Sequence, residues 1–98
     1  MPAVNKNATF VYYQDPGHGW CRVPKSLLRT LGIANKVSRY SYESGTYAFL
    51  EEDCDFTVFV NAWCAATKET INAFFTKHVI EKHTDGQSHI RSYPSYQA

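Results

Sequence analysis

A chain of 98 residues, 44% apolar and 19% charged, has the balance of one folded domain rather than of a disordered or fibrous polymer. Its formal net charge of +1 argues against a protein that holds nucleic acid by bulk electrostatics. No stretch approaches the ~20 apolar residues of a membrane span, so no membrane partner is expected.

The charges are unevenly spread. Residues 1–39 carry Lys6, Arg22, Lys25, Arg29, Lys36 and Arg39 against Asp15 alone, whereas residues 40–66 carry Glu43, Glu51, Glu52, Asp53 and Asp55 with no base. Three cysteines (Cys21, Cys54 and Cys64) make an odd count without a CxxC pair, which does not fit a secreted disulfide framework. MPAVNKNATF has no apolar core of a signal peptide. The expectation is one soluble domain over 1–98, frayed at 1–7, in a reduced intracellular compartment.

From Ala8 the run ATFVYYQ is rich in strand formers, with Phe10 and Tyr12 on one face and Val11 and Tyr13 on the other. DPGHG (15–19) reverses the chain, with His18 on a flexible tip, and WCRV (20–23) returns as the second arm of a hairpin. Pro24 suits the first position of a short helix whose Leu27, Leu28 and Leu31 share a face, with Gly32 as its stop. KVSRYSYES (36–44) and TYAFLEE (46–52) alternate as a second hairpin about Ser44-Gly45. Asp53 or Asp55 is placed to cap the next helix. There Phe56, Phe59, Val60 and Trp63 keep the i, i+3, i+4, i+7 spacing, and the helix is predicted over 55–75 with a break possible near Thr67. A strand over 77–84, the Asp85-Gly86 turn, a last strand HIRSY (89–93) and an extended tail at 94–98 follow. The fold class is therefore α+β: a mainly antiparallel sheet from two hairpins, ββα-ββα-ββ, with helices packed on one face.

Candidate sites are each weighed against a simpler origin. His18 between glycines has the look of a titrating loop residue or of a solvated turn. His78, His83 and His89 are spaced by five and six, which suits neither a helical nor a strand metal pair, so no metal or cofactor is expected. Glu51, Glu52, Asp53 and Asp55 resemble a cation or acid–base cluster but are equally explained by a helix N-terminus. Cys64 lies among core residues and reads as a small hydrophobe. Tyr12, Tyr13, Trp20, Arg22, Arg39, Tyr40 and Tyr42 are the materials of a stacking platform for single-stranded nucleic acid, without the Gly-Phe signature of the RNA-binding sheet. No catalytic constellation emerges, and the chain is not expected to be an enzyme.

YYQDPGHGW (12–20), FLEEDCD (49–55) and EKHTDGQSHIRSY (81–93) together resemble a set of small phage-, prophage- and plasmid-encoded proteins. These share a DPGHGW turn, an EEDCD segment and a KHTD…IRSY end. The likeness runs over most of the chain and thins through residues 64–78. It implies a mobile-element origin and a place in the cytoplasm of a bacterial host, and with it a protein that occludes a host protein stoichiometrically, defence complexes included. The expected contact residues are Tyr13, His18, Trp20, Arg22, Arg39, Tyr42, Glu51, Glu52, Asp53, His83, Arg91 and Tyr93, since aromatic and Arg side chains dominate interface hot spots. Direct nucleic-acid binding is the alternative, and pairing of terminal strands into a homodimer is left open.

Overall fold

The computed structural model describes residues 4–98. Strand β1 (Phe10–Gln14) pairs antiparallel with β2 (Gly19–Pro24), Tyr13 standing opposite Trp20. Helix α1 (Lys25–Thr30) starts directly after β2; Pro24 is still paired in the ladder, with Tyr47, and caps the helix instead of entering it. The second hairpin is β3 (Tyr42–Ser44) and β4 (Tyr47–Glu51), reversed at Gly45 with φ +59, a left-handed conformation that favours glycine. Helices α2 (Asp55–Thr67) and α3 (Ile71–His78) follow, and α3 runs straight into β5 (Val79–His83). Strand order is β3-β4-β2-β1-β5, with every pairing antiparallel except β1 with β5.

Period-2 alternation divides the two faces as the sequence predicted. Phe10, Cys21, Val23, Ala48 and Leu50 point to the helix side, where they pack with Leu28, Phe56, Phe59, Val60, Trp63 and Phe74. Phe10 meets Phe59 and Trp63 edge-on, with ring centroids 5.2 and 5.4 Å apart. All three helices sit on this face. The opposite face carries a smaller cluster of Trp20, Phe49 and Ile90, sealed by Tyr13, Tyr42 and Tyr93.

The break allowed near Thr67 is present: Lys68 adopts φ 65 and closes α2 by donating to Cys64 O, and Thr70 caps α3 by accepting from Ala73 N. Three expectations need correction. Helix α3 persists to His78, past the expected end at Phe75. HIRSY is no strand; His89–Ser92 is a 3₁₀ turn, capped by the Ser88 hydroxyl, that presses Ile90 onto the second face. The closing strand pair is therefore absent, and β5 instead joins β1 in parallel. Finally, residues 36–41 are not a hairpin arm. Asp55, buried at the start of α2, accepts from Ser38 N, Ser38 Oγ and Ser41 Oγ (3.0, 2.7 and 2.6 Å), which folds that segment around the helix end.

The tail is extended but anchored. Ser95 bridges to Tyr42, Tyr96 N donates to Ser41 O, and the buried Tyr96 hydroxyl donates to Ala34 O at 2.6 Å. Of the polar stretch 1–7, Val4 packs against the main cluster and Asn5 closes a turn to Ala8; residues 1–3 lie outside the described residues. Among the described residues no helix is long and apolar enough to cross a membrane.

Candidate functional site

The turn that carries His18 is rigidly tied, contrary to the flexible tip expected from its glycines. Asp15, its side chain fully buried, accepts from the amides of Gly17 and His18 at 2.9 Å each. Its second oxygen accepts from Ser88 N and Arg91 Nε at 3.0 and 2.7 Å, while Arg91 Nη2 donates to Oδ1 at 3.0 Å. The bidentate Arg91 guanidinium, helped by these amides, holds the Asp15 carboxyl well below the usual range and raises its own pKa in turn. Gly19 is required for a different reason: a Cβ there would overlap the Tyr12 ring.

Arg91 then lies 5.2 Å from the Trp20 ring centroid, bridging the tied turn to the second face of the sheet. On the other side of the turn His18 Nδ1 stands 3.3 Å from Glu52 Oε1, with the His18 side chain 57% exposed. Glu52 also accepts from the Tyr12 hydroxyl at 3.3 Å. Burial, reinforced by this carboxylate, pushes the Tyr12 phenol up to about 12.

The acidic segment divides its labour. Glu51, not Asp53 or Asp55, caps α2: its carboxylate accepts from the amides of Asp53, Cys54 and Asp55 at 2.8, 2.6 and 2.8 Å. That leaves Glu52 and the exposed Asp53 facing outward.

These groups surround an open concavity of about 400 Å³ lined by His18, Trp20, Tyr40, Tyr42, Glu51, Glu52, Asp53, Cys54 and Arg91. His18, Trp20, Tyr42, Glu51, Glu52, Asp53 and Arg91 were all singled out from the sequence, and the fold brings them to one place. Tyr40, 79% exposed, stands at its rim as the most exposed large apolar side chain among the described residues. Three stretches distant in sequence meet here: the turn through His18, the acidic segment through Glu52 and the C-terminal end through Arg91.

The remaining expected residues lie elsewhere. Tyr13 and Tyr93 are half-buried beneath the 3₁₀ turn, Tyr93 at 5.2 Å from Phe49. Arg22 reaches across from Tyr13 to Tyr47, 4.9 Å from the latter ring. Arg39 is exposed in the loop beside Tyr40. His83 and His89 do approach a common hollow, with Tyr13 and Lys82, but among the described residues no three His, Cys, Asp or Glu side chains are placed to hold a metal ion. The aromatic stacking platform is not free: Trp20 is 3% exposed, and the 3₁₀ turn covers the face that holds Tyr13 and Tyr42. Cys21 is buried, which raises its thiol pKa, while Cys54 is exposed at the concavity.

One buried polar cluster escaped sequence reasoning. Glu69 Oε1 accepts from Trp63 Nε1 at 2.8 Å and stands 2.9 Å from His78 Nε2, whose Nδ1 meets Ala8 O at 2.8 Å. Trp63 is the leading cause that holds the Glu69 carboxyl down. The cluster staples the α2–α3 corner to the start of β1, a structural duty that explains His78 without a metal.

No family model matches this sequence, and no curated protein or solved structure matches it either.

Proposed function

We propose that this protein is a mobile-element accessory factor that binds a host protein and inhibits or redirects it, a defence complex such as a CRISPR effector being the class of target. Its working surface is the concavity between the His18 turn and the start of α2. The observation that carries the reading is the convergence of three distant stretches on that one exposed place. Hydrogen bonds fix the turn and the acidic segment with His18 and Glu52 outward, and Arg91 locks the third stretch to the turn through Asp15. A surface so tied loses little side-chain entropy on contact, and the exposed Tyr40 at its rim is of a type enriched in hot spots. The protein acts by presentation rather than by chemistry: His18 and Glu52 meet in the open and are left wet.

Glu52 and Asp53 favour a basic patch on the target, including the nucleic-acid-binding groove of a host enzyme. Capture from host lysate with wild type, Tyr40→Ala and Glu52→Lys tests the proposal. The same partner should come down with wild type and be lost, at least tenfold, with both variants. A partner retained equally by all three, or none retained by any, would overturn it.

Direct nucleic-acid binding keeps one supporting observation, Arg22 against Tyr47 with Lys25 and Arg29 lining the neighbouring hollow. That reading predicts single-strand binding that weakens steeply with salt.

A further inference from the structure

The two edges of the sheet are treated differently. The β3 edge is closed by the tail, through the Tyr42–Ser95 bridge and the bond from Glu43 N to Pro94 O. Beyond β5, among the described residues, nothing pairs. Bare edges of this kind are the usual template for strand addition.

The register states which groups are free. Gln14 stands opposite His83, and Thr84 N donates to Gln14 O at 2.9 Å. In a parallel ladder this turns the amides of Ile80, Lys82 and Thr84 toward β1 and those of Glu81 and His83 outward. An arriving strand therefore finds donors and acceptors on alternate residues, in the pattern a ladder needs.

Beside this edge, on the helix side of the sheet, lies a second concavity of about 420 Å³ lined by Tyr12, Phe56, Phe75, Val79, Glu52, Asp53 and Glu81. Its floor is apolar and its charged groups are three carboxylates with no base among them. Of the five large apolar side chains that are substantially exposed, Ile71, Phe75 and Ile80 all belong to α3 and β5. Lys82 points to the other face, into the hollow beside Tyr13.

We infer that the outer edge of β5 accepts an extended, lysine- or arginine-bearing segment of a partner protein as a sixth strand. One basic side chain of that strand lies along Phe75 and Val79 with its head among Glu52, Asp53 and Glu81. Apolar floor and acidic rim fit an aliphatic stem with a cationic tip, which a small apolar or acidic side chain cannot satisfy. The site adjoins the His18 concavity and shares Glu52 and Asp53 with it, while the unpaired β5 edge, Phe75, Val79 and Glu81 belong to it alone.

Three synthetic nine-residue peptides test it: one alternating Thr and Arg, one alternating Thr and Glu, and one with the Arg content of the first but prolines in place of its threonines. Amide hydrogen exchange of the full chain is followed with each at saturating concentration. The Thr–Arg peptide should slow exchange at Glu81 and His83 about tenfold, the size of effect a new ladder bond gives. The other two should leave both amides unchanged. Glu81→Lys, a change at an exposed position whose spectrum should match wild type by circular dichroism, should weaken Thr–Arg binding about tenfold. Equal slowing by the proline peptide would reduce the effect to charge and overturn the proposal. So would no slowing by any peptide. Slow exchange at both amides without peptide that speeds up on dilution would assign the edge to a second copy of this chain and overturn it equally.

Discussion

Asp15 is the residue on which the site's shape depends. Its one carboxylate ties the turn, the Ser88 amide and Arg91 together, and no other polar group in the vicinity duplicates it. Its folded pKa lies below the unfolded value of 3.8, so the ionised group contributes stability at every pH above that value. The contribution drains away as pH falls below 3.8 toward the folded value. Denaturant midpoints of the wild type should therefore fall between about pH 5 and about pH 2, while Asp15→Asn starts lower and falls less steeply. Parallel declines in both proteins would contradict the assignment. Little of this was legible in the sequence. The DPGHG run announced a turn, but Asp15 and Arg91 are 76 positions apart, and nothing in local pattern links them. His18 and Glu52 were each visible as candidates, whereas their pairing is a product of strand order.

At the level of elements, the alternation of Ala48 and Leu50 against Tyr47 and Phe49 sorted the sheet faces correctly, because burial on a pleated surface has a period of two. The same rule misled at HIRSY. There His89, Arg91 and Tyr93 alternate, yet Ser88 accepts from Ile90 N and starts a 3₁₀ turn, a capping signal that period-2 reading ignores. Thr70 was a comparable signal that fixes where α3 restarts after the break allowed near Thr67. The start of α2 shows how ambiguous caps are among four neighbouring acids. Glu51 does the capping from outside the helix, so Glu51→Ala should destabilise the protein by about 0.5–2 kcal/mol. Asp53→Ala, at an exposed position, should stay within about 0.5 kcal/mol of wild type. Thermal or denaturant midpoints decide it, and the reverse order would show that the cap lies at Asp53.

Across the whole molecule, the three helices occupy one face of the sheet and the C-terminal 3₁₀ turn the other, so neither face is free to act as a platform. What remains outward is the rim: the His18 turn, Tyr40, the acidic corner before α2 and the β5 edge. The basic first third and acidic middle of the sequence do not survive as separate lobes throughout. Lys25 pairs with Glu43, and the acidic corner faces His18 and Arg91. Of the aromatic side chains Tyr40, Tyr47 and Phe75 stay exposed, and which ones do so could not be read without topology. Tyr40 does so because its loop is pulled around Asp55, and Trp20 does not because Arg91 and Ile90 cover it.

The central claim is that a partner seats on the concavity around His18, Tyr40 and Glu52. Its most direct test is hydrogen–deuterium exchange of the protein alone and in complex with the partner captured by wild type. Exchange should slow in residues 17–20, 40–42, 52–54 and 89–92 on binding, with the α1 surface unchanged. A saturated complex in which all four of those segments exchange at the free rate would contradict the account.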